Sequence, residues 1–307
     1  MTKSKHIDHG PFSCFGRQGL QAAPPPGAPL SGAPLHLQQG PIDLIIHAWG
    51  TPHAVRTAYA AAAEAFPAIL PALCDELPLL RTRLPAPTPK GAIARAMHAA
   101  CLPHAALFIT PMAAVAGSVA DAMLAVMTES APLDRAFVNN GGDIAFHLAP
   151  GQSLRCGLVT DLAAPALDGL CILTHAHPSR GIATSGRACK GQGGRSFSLG
   201  IADAVTVLAR TAAAADAAAT VIGNAVDLPG HPAIHRRPAR DIDPDSDLGD
   251  RLVAWDIDPL PPGMIAKALD AGRRVADALL QAGLIDGALL ALRGQAAATN
   301  PQVPRAA

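Results

Sequence analysis

The chain has 307 residues, half of them apolar but only 3% aromatic, so its core must be built from Ala, Val, Leu and Ile. Lys+Arg and Asp+Glu each number 24, giving a formal net charge of zero. With no basic run and no interleaving of aromatic and basic residues, this balance argues against nucleic acid as the main partner. The six cysteines (Cys14, Cys74, Cys101, Cys156, Cys171, Cys189) are scattered without a CxxC pair, which suggests reduced thiols, not a disulfide framework. Met1 to His9 is polar and lacks the apolar core of a secretory signal. No run reaches the ~18 uncharged apolar residues that span a bilayer, and Ala106 to Val126, which comes nearest, suits a buried helix. The expectation is a soluble cytoplasmic protein with no membrane partner.

Residues 1–40 divide into a polar start and a Pro- and Gly-rich connector from Ala22 to Pro34, with His9 to Phe15 able to pair as an edge strand. A single α/β domain is expected over 41–294, with room for two lobes, and a frayed tail over 295–307. Pro41 to Ala48 reads as a first buried strand, and His53 to Pro67 as a helix whose Val55, Tyr59, Ala62 and Phe66 share a face. Ile69 to Leu80 is interrupted by Pro71 and Pro78, and Ile93 to Ala100 reads as a short helix. Thr110 as N-cap and Pro111 at the first helical position predict a long helix to about Met127.

Phe137-Val138, a turn at Asn139 to Asp143, and Ile144 to Leu148 predict a hairpin. Leu154 to Val159 and Gly169 to Thr174 read as two more strands of the same sheet. Gly181 to Gly186 reads as a turn, Gly191 to Gly194 as a glycine-rich loop, and Ala204 to Leu208 as a strand before an alanine-rich helix with Asp216 and Thr220. The aspartates from Asp241 to Asp250 lie in a solvated loop without the glycine and terminal glutamate of a calcium loop. Pro262 to Gln281 predicts a final amphipathic helix and Ala288 to Leu292 a last strand. Helices alternate with strands but hairpins intrude, which favours a mixed-sheet α/β or α+β domain over a doubly wound one.

Four segments can carry chemistry. At Asn139 to Asp143 the glycines admit a ligand to the backbone and Asp143 offers a carboxylate; a plain hairpin turn accounts for the same residues. Thr184, Ser185 and Gly186 offer hydroxyls and N–H groups to an anion, or satisfy their own turn. Asp216 and Thr220 lie one turn apart on one helix face, able to give Mg²⁺ two hard oxygens or to hydrogen-bond along the helix. Ala116 to Asp121 combines small residues with an acid, which helix packing alone explains. His175 and His177 share a strand face but lack a third zinc ligand. No nucleophile elbow, Walker loop or spaced Cys/His cluster occurs, and Gly191 to Gly194 lacks the strand-then-helix setting of a dinucleotide loop.

In this order, Met112 to Asp121, Asn140 to Ile144, Ala183 to Gly186, Ser196 to Val207 and Ala215 to Thr220 resemble the ApbE superfamily of FAD:protein FMN transferases, and more specifically its UPF0280 branch. The resemblance implies mixed-sheet lobes packed with helices around a cleft, with FAD lying across it and Mg²⁺ bridging the pyrophosphate. It places Asp216, Thr220 and a backbone carbonyl near Gly117 on the metal, and Asn140, Gly141, Gly142, Asp143, Thr184, Ser185 and Gly186 along the nucleotide. In such transferases the cation polarises the pyrophosphate and a hydroxyl of an acceptor protein attacks phosphorus. Where they carry a His-Ile-Ile-Asp-Pro-type segment, this chain reads Ser196 to Asp203, which keeps only Asp203 as the acid or base, and Ala116 replaces the lysine before the helix glycine.

Three functions follow as alternatives. One is Mg²⁺-dependent binding of a flavin or nucleotide-type ligand with phosphoryl or FMN transfer. Another is different chemistry on the same scaffold, on a small molecule such as a pterin-type cofactor precursor. The last is a non-catalytic binding or assembly protein. A homodimer is compatible with each.

Overall fold

The computed structural model describes residues 33–158, 169–186 and 197–299. The expected strand at His9 to Phe15, nearly all of the Pro-rich connector, the glycine-rich loop at Gly191 to Gly194 and Ser196 lie outside them.

The first half folds as β1 (Leu35–Gln39), β2 (Ile42–Trp49), α1 (Pro52–Ala65), α2 (Ile69–Asp75), α3 (Leu77–Leu80), α4 (Ala92–Cys101), α5 (Val115–Ser130), β3 (Arg135–Asn140) and β4 (Asp143–Leu148). There follow β5 (Ser153–Leu158), β6 (Gly169–Thr174), β7 (Gly181–Ser185), β8 (Ala204–Ala209), α6 (Ala212–Ala225), β9 (Ile234–Pro238), β10 (Leu252–Ile257), α7 (Pro262–Gln281), β11 (Gly287–Leu292) and β12 (Gln295–Ala298). Eight strands form one antiparallel sheet in the order β1-β2-β3-β4-β7-β8-β11-β12, while β5–β6 and β9–β10 make separate ribbons. The mixed α/β class expected from the sequence is the observed one.

Side chains alternate across the sheet, and both faces are covered. Leu44, Ile46, Val138 and Ala145 point to α1 and α5, and Ala183, Val205, Val207 and Leu290 point to α6 and α7. On the opposite face Phe137, Ile144, Phe146, Ile182 and Leu208 pack under Leu154, Cys156 and Leu173 of the β5–β6 ribbon. That explains one departure from the expected arrangement. β4 pairs with β7, so β5 and β6 do not extend the sheet but fold across its outer face, which is too apolar to leave in water.

Other differences have local causes. Gly181–Ser185 is a strand, not a turn, because both of its edges find partners in β4 and β8. Thr110 does not cap α5: Pro111–Ala114 forms a 3₁₀ turn first, and the Thr110 hydroxyl donates to Asp247. The sheet takes in Leu35–Gln39 and Gln295–Ala298 at its two edges, where the sequence suggests a connector and a frayed tail. Pro52–Asp75 and Pro111–Ser130 are long and apolar enough to cross a membrane by length and composition; their alanines pass that test while the helices pack against the sheet. Pro262–Gln281 forms α7 with the bounds expected. Cys74 and Cys101 are free thiols.

Phe137 and Phe146 are directly opposed across β3 and β4 and almost wholly buried. Phe146→Ala is expected to destabilise the fold by ~3–5 kcal/mol, read by denaturant titration. A loss below ~1 kcal/mol would mean that the ribbon does not seal this face.

Candidate functional site

The site lies where α5, α6, the β3–β4 hairpin and β7 meet. α6 can lie deep because its inner positions are small: Ala212, Ala215, Ala217, Ala218 and Ala219 are all buried. Thr211 caps it, its side chain accepting from the Ala214 N–H at 3.1 Å. Gly117 in the first turn of α5 lies directly on the start of α6, since a Cβ there would stand 2.3 Å from the Ala212 carbonyl oxygen. Only glycine permits that approach.

The hairpin supplies the second component. Gly141 and Gly142 have φ of 65° and 113°, a two-residue turn that closes on the register pair Asn140 and Asp143. The Asn139 side chain accepts from the Gly142 N–H at 2.8 Å. Asn140 shares a face with Val138, and Asp143 with Ala145, so both side chains project toward the helices. Asn140 Nδ2 donates to the Ala116 carbonyl at 3.1 Å and pins the hairpin tip to α5.

Two acids then come together. Asp143 Oδ1 accepts from the Thr184 N–H at 3.2 Å, and Asp216 Oδ2 accepts from the Gly117 N–H at 3.0 Å. Burial pushes the Asp143 carboxyl up to about 7, against the pull of the Thr184 N–H. Burial also raises the Asp216 carboxyl well above the usual carboxylate range, and the neighbouring Asp143 charge raises it further. The N–H groups of Gly117 and Ala116 oppose that rise without cancelling it. Among the described residues neither acid has a Lys, Arg or His in an ion pair with it. A buried and a half-buried carboxylate that sense each other's charge, with no cation paired to them among the described residues, form a proton-hungry or cation-hungry site.

The other expected site residues take up distinct positions. Thr220 lies one turn beyond Asp216 on the same side of α6. Ser185 projects to the helix side, near Gly223 of α6. The Thr184 hydroxyl is on the outer face, 3.0 Å from that of Thr206, so only its backbone N–H serves the acids. Gly186 has φ of 126° and lies against the Asp203 carbonyl. The Asp203 carboxylate accepts from the Arg293 N–H at the β11–β12 turn. The Gly117 N–H, not its carbonyl, faces Asp216. From the sequence Asp143 and Asp216 take separate roles, because no spacing signals a contact between a hairpin and a distant helix.

Among the described residues no group of three His, Cys, Asp or Glu side chains is arranged to hold a metal ion. The donor set here is different in kind: two carboxylates, with the Thr220 hydroxyl near one of them. Hard oxygens that leave places for water or ligand oxygens fit Mg²⁺ better than zinc. A groove of about 470 Å³ along α7, lined by Asp227, His231, Lys267 and Arg274, shares no residue with the acid pair. Its Asp227 and Arg274 are already paired, with Arg236 and Asp270.

An antiparallel sheet packed with helices, with an acid pair at a helix crossing, defines a mixed α/β protein. The family model described as AbpE bacteria matches residues 28–298, and the chain belongs to that family. A UPF0280 protein of Methanothrix thermoacetophila is 37% identical over 153 residues, covering 49% of this chain and 59% of the relative. One from Methanoregula boonei is 33% identical over 172 residues, covering 53% of this chain and 67% of the relative. The chain thus spans little more than half the length of the first of these. The ApbE protein of Thermotoga maritima is 16% identical with a TM-score of 0.38, the match covering 83% of this chain and 78% of that one.

Both acids bind protons more tightly folded than unfolded, so each contributes stability that is complete below the unfolded value near 4 and is lost as pH rises through its folded value, about 7 for Asp143. Without divalent ions, wild-type protein is expected to lose on the order of 1–3 kcal/mol between pH 5 and pH 8, and Asp143→Asn much less. Denaturant melts at the two pH values check this; equal slopes for both proteins would remove Asp143 from the pair.

Proposed function

We propose that the chain binds a flavin or nucleotide-type ligand together with a divalent cation at Asp143 and Asp216. The observation that carries this reading is the pair itself, the buried Asp143 and the half-buried Asp216, with no Lys, Arg or His paired to either among the described residues. Asp216, Asp143 and Thr220 would hold Mg²⁺, which when bound supplies positive charge to a ligand pyrophosphate. The glycines of the hairpin tip border open space, with nothing within 4 Å of where a Cβ would stand at either position, so a flat ring system can approach the backbone there. Ser185 and Gly186, at the C-terminal end of β7 just after the Thr184 N–H that meets Asp143, would line the same ligand. Membership of the AbpE bacteria family and the order of the motifs support a flavin-related role.

A second reading is favoured by one observation. Asp203, the acid that remains in the segment resembling the transferase base region, is tied to the Arg293 N–H. On that reading the cation and ligand are bound but FMN transfer is replaced by other chemistry on a small molecule, such as a pterin-type precursor.

Calorimetry with FAD, FMN and ADP, each with and without Mg²⁺, tests the first reading. Binding is expected to need Mg²⁺ and to weaken at least ~10-fold in Asp216→Ala, the loss of one charged ligand. No binding of any of the three in the presence of Mg²⁺ would sink it. Mg²⁺-dependent FAD binding without flavin transfer to any protein substrate would select the second reading.

A further inference from the structure

α5 and α6 are joined by more than packing. Asp121 of α5 accepts from the Ala212 N–H at 3.0 Å and the Ala213 N–H at 2.8 Å, the opening N–H groups of α6. Asp216 of α6 returns the arrangement, accepting from the Gly117 N–H in the first turn of α5. The opening amides of a helix have no partner within it, and a carboxylate there is favoured by the helix dipole as well. Each helix therefore caps the other, and the contact of Gly117 with the Ala212 carbonyl closes the ring between them.

We propose that Asp121 is a positioning residue for the Asp143–Asp216 site: by fixing the start of α6 on α5 it sets where the Asp216 carboxylate stands. The proposal rests on that pair being the binding site. Asp216 lies one turn from Ala212, on a rigid helix, so a shift of the α6 start carries the carboxylate with it. Ala212 N–H and Ala213 N–H go to Asp121 and Ala214 N–H to Thr211, which means that Asp121 and Thr211 share the capping but, of these two, Asp121 alone ties α6 to α5.

The Gly117 amide reports directly on Asp216 and needs no metal. In the full-length protein, its hydrogen exchange is measured by NMR relative to Val207 in β8, for wild type, Asp121→Asn and Thr211→Ala. Both substitutions weaken the start of α6. Asp121→Asn is expected to speed Gly117 exchange by roughly tenfold beyond any change at Val207, and to weaken Mn²⁺ binding, followed by the paramagnetic signal of free Mn²⁺, by a similar factor. Thr211→Ala is expected to leave both within about twofold. If Gly117 exchange in Asp121→Asn changes no more than in Thr211→Ala, Asp121 only stabilises the helix and the proposal is wrong. If wild-type protein fails to bind Mn²⁺, the reading of the site as a cation site fails, while the Gly117 comparison still decides the role of Asp121.

Discussion

Everything in the site hangs on how closely α5 and α6 approach. At Gly117 the absence of a side chain lets the α5 backbone rest on the Ala212 carbonyl, and a Cβ would close the gap to 2.3 Å. That contact brings the first-turn amides of α5 within reach of Asp216 and those of α6 within reach of Asp121. The sheet then presents Asp143 to Asp216 from the other side, held by Thr184 N–H from β7. Without the small-residue crossing, burying an acid there would be too costly to sustain. With it, the backbone offsets part of the desolvation, and the remainder is left for a proton or a cation.

The two faces of the sheet have different roles. The outer face is sealed by Phe137, Phe146 and Ile182 under the β5–β6 ribbon. On the inner face Ala, Val and Gly predominate, so helices come close enough for carboxylates to meet backbone amides. The sheet turns its buried phenylalanines, Phe137 and Phe146, to the outer face and leaves small side chains where α5 and α6 cross on the other.

Much of this fold can be read from the sequence wherever the signal is local. Asn-Gly-Gly between apolar runs marks the β3–β4 hairpin, and the apolar stripe with its proline start gives α7. Signals that depend on distant partners are lost. Thr184 and Ser185 look like turn residues until β4 and β8 are placed on either side of them, and Gln295 to Ala298 looks like a tail until β11 offers an edge. Thr110 carries the local marks of an N-cap, but Asp247, far along the chain, takes its hydroxyl. The site shows the same division. Its residue types and their order are visible in the sequence, and with them the likeness to the ApbE superfamily. The meeting of Asp143 with Asp216, and the capping by Asp121, exist only once the sheet and helices are assembled.

The Asp143 charge raises the Asp216 carboxyl, which makes the two acids one acidic site and not two separate ones. A double-mutant cycle with Asp143→Asn, Asp216→Asn and the double variant, by denaturant unfolding at pH 8 without divalent ions, measures that directly. Either single substitution is expected to relieve most of the repulsion, so the double variant gains less than the sum, by ~0.5–3 kcal/mol. Effects that add within ~0.3–0.5 kcal/mol would show that the two acids do not sense each other and would contradict it.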